Sequence, residues 1–376
     1  MHPAIKFLSN LIDINTANDN ENELAQLIAD QLAHHNISSK LVSYSKNRSS
    51  LIAEIGQGET VVGLTGHLDT VLPGDPAKWQ YRPYKATIVD NRLYGRGAAD
   101  MKSGIAALVF AFINLAKSAD TLNGRVRLML TVGEENGAQG AHQLTQLHYA
   151  DDLTALIVAE PTDAHIIYAH NGSLNYTVTA EGKQVHSSMP AAGINAIDGL
   201  VAFYNEEKTL FDQAPVHSTL GPVVHSITVI ASGHQVNSIP GEGFLRGNIR
   251  PIPNFDNDAV TLKLQTLLTN LNQQTNAQLT LTIDNSFWPV ESDPNGSLVA
   301  AAKLAYQNNF KQEPTLGVIH GATDASEFVK GLHQFETIVM GPGPWEKAHM
   351  VDEYVETDQV ITMIKTYDDL VTTYLQ

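Results

Sequence analysis

The residues most able to do chemistry are five metal-binding side chains that lie far apart in the sequence. They are His67 in GHLDT, Asp100 in GRGAADMKSG, Glu135 in TVGEENG, Glu160 in VAEPTD and His349 in WEKAHMVDE. Each lies at or just past a run that predicts a β-strand. In an open α/β sheet the carboxyl ends of the strands meet at one crevice. Because two imidazoles and three carboxylates suit zinc, we expect one metal site.

Each ligand type also has an ordinary structural explanation when it is taken alone. Asp100 precedes a predicted helix, where aspartate is a favoured N-cap. The Glu134–Glu135 pair resembles a solvated loop, and the other residues fit strand ends or a loop. All five occupy matching topological positions, however, and this combination favours the metal interpretation.

Five ligands suffice for two ions if Asp100 bridges them together with one water molecule. His67 and Glu160 would then complete one near-tetrahedral shell, and Glu135 and His349 would complete the other. A two-metal site clamps a substrate oxygen and lowers the pKa of the shared water toward ~7. The sequence therefore predicts a centre for hydrolysis.

Two further acidic residues are expected to assist this centre. Glu134 is adjacent to the ligand Glu135 but points elsewhere, so it is placed to act as general base and later as acid to the leaving amine. Asp69 lies two residues beyond His67, and side chains at this spacing share a strand face. We therefore expect its carboxylate to accept a hydrogen bond from the other ring nitrogen of His67 and fix its tautomer.

Composition limits the class of protein. The chain has 376 residues, 43% of them hydrophobic, and a net charge of −17 from 23 Lys+Arg and 40 Asp+Glu. This acidity argues against nucleic acid and anionic membranes as partners. With no cysteine, any metal must be held by nitrogen and oxygen. The absence of a signal-peptide pattern or a long apolar run predicts a cytoplasmic protein.

The chain predicts an α/β fold with a mainly parallel sheet sandwiched by helices, interrupted by a second domain. Alternating strands and apolar helices occupy 1–172 and 288–376, which we assign to the catalytic dimetal domain. Between them, 173–287 contains four strands with period-two alternation and two helices. This segment is predicted to be an inserted α+β domain.

The motifs GHLDT, GRGAADMKSG, GEEN and EPT together resemble a family of zinc aminoacylases and exopeptidases. That family includes succinyl-diaminopimelate desuccinylase, acetylornithine deacetylase and a glutamate carboxypeptidase, and the resemblance covers nearly the whole chain. It implies the same metal ligands, with Glu134 as the catalytic base and Asp69 supporting a metal ligand without binding the metal itself. It also implies a cis Asp100–Met101 peptide.

The resemblance implies that the inserted domain is a lid through which the protein forms a homodimer. His186, in a Gly-x-x-x-His-Ser pattern, would reach the partner's active site and stabilise charge on the carbonyl oxygen. Taken alone, His186 fits an ordinary turn. Arg250 would bind the substrate's carboxylate as a fork, although an arginine on a strand also pairs with any nearby acid. The residues that match the family's substrate-binding positions are Asn237, Arg250, Gly321, Ala322 and Thr323.

The expected activity is hydrolysis of the amide that joins an acyl group to an amino acid, a small-molecule substrate. GRGAADMK favours succinyl-diaminopimelate, whereas EPT in place of EPS favours acetylornithine; a broader aminoacylase or dipeptidase stays open. A non-catalytic binding protein is disfavoured, because no ligand or base is missing. The ions are expected to be zinc, although cobalt and manganese also suit these ligands.

Overall fold

The computed structural model describes residues 1–17 and 19–376, which divide into two compact units. The first unit comprises Met1–Ala169, Glu291–Val318 and Thr323–Gln376. The second comprises His170–Val290 and Ile319–Ala322. The sequence-based boundaries at 173 and 287 fall inside this second unit, and the short return at 319–322 was not predicted.

Helices occur in both units. In chain order they are α1 Pro3–Asp13, α2 Glu21–Ala33, α3 Lys102–Ala116, α4 Gln139–Gln146, α5 Ala196–Glu207, α6 Asn257–Gln274, α7 Ser297–Phe310, α8 Ala325–Phe328 and α9 Thr357–Tyr374. Of these, α5 and α6 belong to the second unit. No helix of the described chain combines the length and the apolar character needed to cross a membrane.

The strands form two main sheets. In chain order they are β1 Ser39–Ser45, β2 Arg48–Gln57, β3 Val61–His67, β4 Thr87–Val89, β5 Arg92–Tyr94, β6 Gly124–Thr131, β7 Ala155–Val158, β8 Ile166–His170, β9 Ser173–Glu181, β10 Val185–His186, β11 Val224–Ser232, β12 Ser238–Ile239, β13 Glu242–Arg250, β14 Gln278–Phe287, β15 Val290–Glu291, β16 Leu316–Ile319, β17 Glu336–Val339 and β18 Tyr354–Glu356.

The large sheet has the order β1-β2-β6-β3-β7-β17-β8-β15, with β16 paired to β8. Its central strands β6, β3, β7 and β17 run parallel, whereas β1, β2 and β8 join antiparallel toward the edges. Every residue of β3 and β7 is buried, so both faces of the sheet are covered. The predicted α/β class with a mainly parallel sheet is confirmed.

Helix α3 packs against β3 and β6 of the large sheet and against α1 and α9. Its sequence is apolar on nearly every face, and most of its residues are buried, as expected for a helix inside a core. A Cβ on Gly104 would lie 2.1 Å from the carbonyl oxygen of Ala159, so only glycine allows this close approach. Gly104 thus seats α3 beside the residue that precedes Glu160.

The second unit is built on an antiparallel sheet of order β11-β13-β9-β14. Burial alternates along β9, because one face packs on α5 while the other is more exposed. Helix α6 contacts β14 and α5. The short strands β10 and β12 pair separately, with His186 opposite Ser238. The four strands and two helices predicted for this segment are present.

Candidate metal centre

The ends of the central parallel strands bring three of the candidate ligands together. His67 is the last residue of β3 and pairs with Thr131, the last residue of β6. Glu135 follows four residues later in the turn after β6. On the other side of β3, strand β7 ends at Val158, and Glu160 follows two residues on. The register of parallel strands therefore places all three at one edge of the sheet.

The other two candidate ligands come from loops. Asp100 lies before α3 but does not cap it, because the capping residue is Met101 and no side chain caps the helix. The N-cap explanation for Asp100 is therefore wrong. The Asp100–Met101 peptide is cis, as the family resemblance implied. His349 lies in the loop after β17 and has left-handed backbone with φ 64°.

The Asp100 carboxylate joins two groups of donors. Its Oδ1 lies 2.9 Å from Nε2 of His67, and its Oδ2 lies 3.1 Å from Nε2 of His349. Oε1 of Glu160 is 3.6 Å from Nε2 of His67, and Oε1 of Glu135 is 2.8 Å from Nε2 of His349. Within each group of three residues, the ligand atoms all lie within 4.8 Å of one another. Each oxygen of Asp100 thus faces a different histidine.

The charges of the two groups depend strongly on one another. Burial alone lowers the pKa of His67, but the charge of Glu160 and a hydrogen bond with Asp100 raise it well above its ordinary value. The hydrogen bond with Asp100 is also the main cause that raises the pKa of His349 to about 10. Burial favours a raised pKa for Asp100, yet hydrogen bonds from His349 and His67 lower it. Burial raises the pKa of Glu160 to about 7.

These donors fit a pair of divalent cations. Each group offers one imidazole nitrogen and two carboxylate oxygens, which are zinc ligands, and three protein ligands leave a position for water or substrate. The clustered carboxylates require compensating positive charge. A cation that displaces the histidine protons supplies it.

Glu134 differs from its neighbour Glu135 in what its carboxylate contacts. Glu135 reaches His349, whereas the Glu134 carboxylate makes no hydrogen bond or ion pair with the described part of the chain. Burial is the main cause that raises the pKa of Glu134 well above its ordinary value. A carboxylate without a protein partner beside the donor groups is available to exchange a proton with a bound molecule.

Asp69 contacts the turn after β6 more closely than it contacts the ring of His67. Its Oδ1 and Oδ2 accept the main-chain N–H groups of Glu134 and Glu135, each at 3.1 Å. Nδ1 of His67 lies 3.0 Å from the carbonyl oxygen of Asp69 and 3.6 Å from its carboxylate. The expected carboxylate–imidazole hydrogen bond is thus replaced by a main-chain acceptor, because β3 ends at His67 and the alternation of a strand stops there.

The second unit carries His186, Asn237 and Arg250. His186 is exposed at the end of β10, and its Nδ1 accepts the N–H of Ser188 at 3.2 Å and lies 2.8 Å from the Ser188 hydroxyl. In the neutral ring the proton then resides on Nε2, which makes Nε2 a donor. Asn237 is exposed in the turn before β12, and its carbonyl oxygen accepts the N–H of Ser187.

Arg250 ends β13 and is half-buried. Its guanidinium has no hydrogen bond or ion pair with residues 1–17 or 19–376, and burial lowers its pKa. Gly321 and Ala322 belong to the second unit, and Thr323 to the first. Thr323 is buried, and its hydroxyl accepts the N–H of Ala325.

Three buried polar residues near the donor groups were missed from the sequence. Glu353 and Arg96 form a fully buried ion pair of 2.5 Å. Asp324 hydrogen-bonds Thr131 at the end of β6, and burial raises the pKa of Asp324 to about 7. The available signals were an arginine between two glycines in GRG and an acid four residues beyond His349.

Comparisons with known proteins agree with this geometry. The pattern of Peptidase family M20/M25/M40 matches residues 63–373. A protein of Staphylococcus aureus named probable succinyl-diaminopimelate desuccinylase is 34% identical over 399 residues, covering 99% of this chain and 97% of that protein. Acetylornithine deacetylase of Vibrio cholerae is 28% identical over 361 residues, covering 89% and 87%.

A solved structure has the same fold. It is the M20 family metallo-carboxypeptidase Sso-CP2 from Sulfolobus solfataricus, with a TM-score of 0.80, 18% identity and full coverage of both chains (100% and 100%). The family match spans most of the chain, and the curated relatives are hydrolases. The chain therefore belongs to peptidase family M20/M25/M40 and is a hydrolytic enzyme.

Proposed function

We propose that the protein is a two-metal amidohydrolase that removes the acyl group from the nitrogen of an N-acyl amino acid. The observation that supports this most is the position of Asp100, whose two carboxylate oxygens each face a different histidine. A carboxylate shared in this way suits a pair of cations better than a single one. The proposed ions are zinc, with cobalt or manganese as alternatives of the same ligand preference.

Bound ions of this kind activate water and polarise a carbonyl. The chain's own contribution is proton transfer and orientation. The Glu134 carboxylate would take a proton from the attacking water and later deliver it to the amide nitrogen, so that the amine leaves neutral. Its lack of a protein partner and the raised pKa that burial gives it both suit a group that is protonated halfway through the reaction.

Two residues of the second unit are assigned to the substrate. The Nε2–H of His186 would donate to the carbonyl oxygen as negative charge develops there. The unpaired guanidinium of Arg250 would form a forked pair with a substrate carboxylate, for which its planar donors are suited. Asn237 and the segment Gly321–Thr323 would line the same substrate, as the family resemblance implies.

The proposed substrate is N-succinyl-diaminopimelate. Support comes from the 34% identity to relatives named for that activity, compared with 28% for the acetylornithine deacetylase. The sequence feature that favoured acetylornithine is Thr162, the threonine of EPT. Its hydroxyl donates to the carbonyl oxygen of His165 at 2.8 Å and accepts the N–H of Gly341 at 3.1 Å. Because these contacts occupy the hydroxyl within the turn, we give Thr162 less weight than the identity to the relatives.

We also propose that two copies associate through the second unit. Strand β11 is an edge of its sheet, and Val224, Val229 and Ile230 on it are 56%, 43% and 54% exposed. An exposed apolar edge strand pairs readily with another chain. A second copy can cover it with the same surface under two-fold symmetry.

The test is a steady-state kinetic panel on protein loaded with Zn²⁺ or Co²⁺. The substrates are N-succinyl-diaminopimelate, N-acetyldiaminopimelate, N-acetylornithine and simple dipeptides. We expect the highest kcat/KM for the first, by at least ~10-fold over its acetyl analogue. That margin corresponds to about 1.4 kcal/mol, which one added carboxylate contact readily supplies.

Each other outcome is informative. A preference for N-acetylornithine or dipeptides would reject the substrate but keep the amidohydrolase. Metal-loaded protein that hydrolyses none of these amides, although it binds two ions, would reject the proposed reaction itself.

A further inference from the structure

The buried carboxylate of Glu353 accepts hydrogen bonds from several main-chain N–H groups of the loop that ends in Asp100. Oε1 of Glu353 accepts the N–H of Ala99 at 2.8 Å and of Asp100 at 2.9 Å. Oε2 accepts the N–H of Gly97 at 3.1 Å and Nη1 of Arg96 at 2.5 Å. Glu353 is fully buried, so these four N–H groups provide the hydrogen bonds that water would otherwise donate to its carboxylate.

Arg96, the partner of this carboxylate, extends the connection to the loop that carries His349. Nη2 of Arg96 lies 3.3 Å from the carbonyl oxygen of His349 and 3.4 Å from that of Leu72. The main-chain carbonyl of Glu353 also accepts the N–H of Gly95 at 3.0 Å. The segments 95–100 and 349–353 are therefore held to each other by side-chain and main-chain contacts together. We call this set of contacts the Glu353–Arg96 bracket.

The segment that carries His349 needs such support. His349 and Asp352 both have left-handed backbone, with φ 64° and 54°. Residues other than glycine adopt this region only when their surroundings hold them there. The carbonyl of His349 accepts a hydrogen bond from Arg96, which supports this backbone conformation at the residue that carries the imidazole.

The two donor groups depend on the bracket to different degrees. In the group of Asp100, Glu135 and His349, two of the three ligands lie on the bracketed segments. In the other group, His67 and Glu160 are positioned by the register of β3 and β7 and share only Asp100 with the bracket.

We propose that Glu353 is a positioning residue that, together with Arg96, builds the ion site formed by Asp100, Glu135 and His349. The inference rests on the proposed function, because it presupposes that the chain binds two ions. The Glu353 carboxylate is not one of the metal-ligating groups of this site. It acts by holding the two loops that carry Asp100 and His349. Its carboxylate form is required, since four N–H donors converge on it and the amide of glutamine would turn an N–H₂ toward some of them.

The experiment is a titration of chelator-treated protein with Co²⁺, followed by calorimetry and by visible absorption of the bound ion. It compares the wild type, Glu353→Gln, Arg96→Lys and His349→Ala. Arg127→Lys is the matched control, because Arg127 is also buried and ion-paired, with Glu54 and Asp152, but away from both loops. Melting temperature and near-ultraviolet circular dichroism report the fold of each variant.

The wild type is expected to bind two ions. Glu353→Gln should bind one with wild-type affinity and the other ~10–100-fold more weakly, the usual effect of removing support behind a metal ligand. Its spectrum at one equivalent should match that of His349→Ala, and excess Co²⁺ should restore the second site. Arg96→Lys should weaken the same ion by a smaller factor. Arg127→Lys should titrate like the wild type.

Three outcomes would overturn the inference. Glu353→Gln could lower the melting temperature yet bind both ions as the wild type does, and this result would mean that Glu353 has a purely structural role. It could instead weaken both ions equally. The third outcome applies if Glu353→Gln does not fold: Arg96→Lys would then bind both Co²⁺ ions with the affinities of the wild type. A wild type that binds no ion would reject the proposed function instead.

Discussion

The main-chain N–H of Glu134 donates to Oδ1 of Asp69 across 3.1 Å, and this contact orients the turn that carries the proposed base. The other oxygen of Asp69 accepts the N–H of Glu135 at the same distance. One buried carboxylate thus fixes the peptide planes of two adjacent glutamates, and their side chains leave the turn in different directions. Asp69 thereby orients both the proposed base, Glu134, and the candidate ligand, Glu135.

Replacing Asp69 by alanine should therefore reduce activity and loosen this turn. Two N–H donors would lose their acceptor at a site where Asp69 is fully buried, which costs about 1–3 kcal/mol for each buried donor left unpaired. We expect kcat to fall ~10–100-fold. Hydrogen exchange at residues 133–138 should accelerate in the variant.

Asp69→Asn is the informative companion, because it keeps one carboxamide oxygen as acceptor. It should fall between the wild type and Asp69→Ala in both kcat and exchange. If Asp69→Ala keeps slow exchange in this turn while activity drops, then Asp69 acts through His67 alone.

Glu134→Gln should separate catalysis from metal binding. The variant keeps the shape of the side chain but cannot accept a proton, so kcat should fall by ~10²–10⁴. Because Glu134 belongs to neither donor group, metal content should stay at the wild-type value. Steady-state kinetics and elemental analysis of the same preparation make the measurement.

The matched control for this variant is Glu59→Gln, since Glu59 is exposed. It should leave kcat unchanged. Residual activity of Glu134→Gln near the wild-type level would reject its role as base, and loss of metal would assign it to the ligands.

Removing the ions should abolish turnover reversibly. The donor groups consist of nitrogen and oxygen only, so a chelator such as dipicolinate competes for ions held there. Adding Zn²⁺ or Co²⁺ back should restore kcat, and the non-chelating isomer isophthalate serves as control. Activity that persists in metal-depleted protein, as verified by elemental analysis, would reject the two-metal proposal.

The grouping of three candidate ligands at one sheet edge could be predicted, because a residue of ligand type ends or closely follows each of the apolar strands β3, β6 and β7. His67 and Glu160 show this most simply, since a buried strand delivers each to the sheet edge. The period-two pattern of β9 likewise predicted a strand with one buried face. These features depend on local sequence, which is why local reasoning found them.

The remaining features depend on where the chain goes after an element ends. Asp69 was expected on the face of His67, but β3 ends at His67. Glu353 and Arg96 are 257 residues apart in the sequence, so no local pattern predicts their contact. Helix α1 was also missed, although the spacing of Ile5, Leu8 and Leu11 is the local signal of a helix with one buried face.

Association through β11 predicts that a charge on this edge produces monomers. Ile230→Lys places an ammonium group at a residue that is already 54% exposed, so the folded unit should tolerate it. Sedimentation should show dimers for the wild type and monomers for the variant. Leu304→Lys, at an exposed residue on α7 of the first unit, is the control. If His186 acts in the partner's site, kcat/KM of Ile230→Lys should fall as well; a fully active monomer would contradict that assignment.

The second unit should lose local stability as pH rises, because of an ion pair between His225 and Glu207. Nδ1 of His225 lies 2.7 Å from Oε1 of Glu207, and this hydrogen bond is the main cause that raises the pKa of His225. The charge of Asp212 acts in the same direction, and the Tyr176 hydroxyl also lies near Glu207, at 3.4 Å. A group whose pKa is raised on folding stabilises fully below its unfolded pKa of 6.5.

That stabilisation is then lost as pH rises through the folded pKa, which lies above 6.5. Hydrogen exchange of α5 and β11 in the full chain measures it, as the difference between wild type and His225→Gln at pH 6 and pH 9. The difference should shrink by about 1 kcal/mol, the gap between a charged and a neutral hydrogen bond. His234→Gln, at an exposed histidine of the same unit, should show no such change. A difference that stays constant with pH would mean that His225 contributes through packing on Phe211 rather than through its charge.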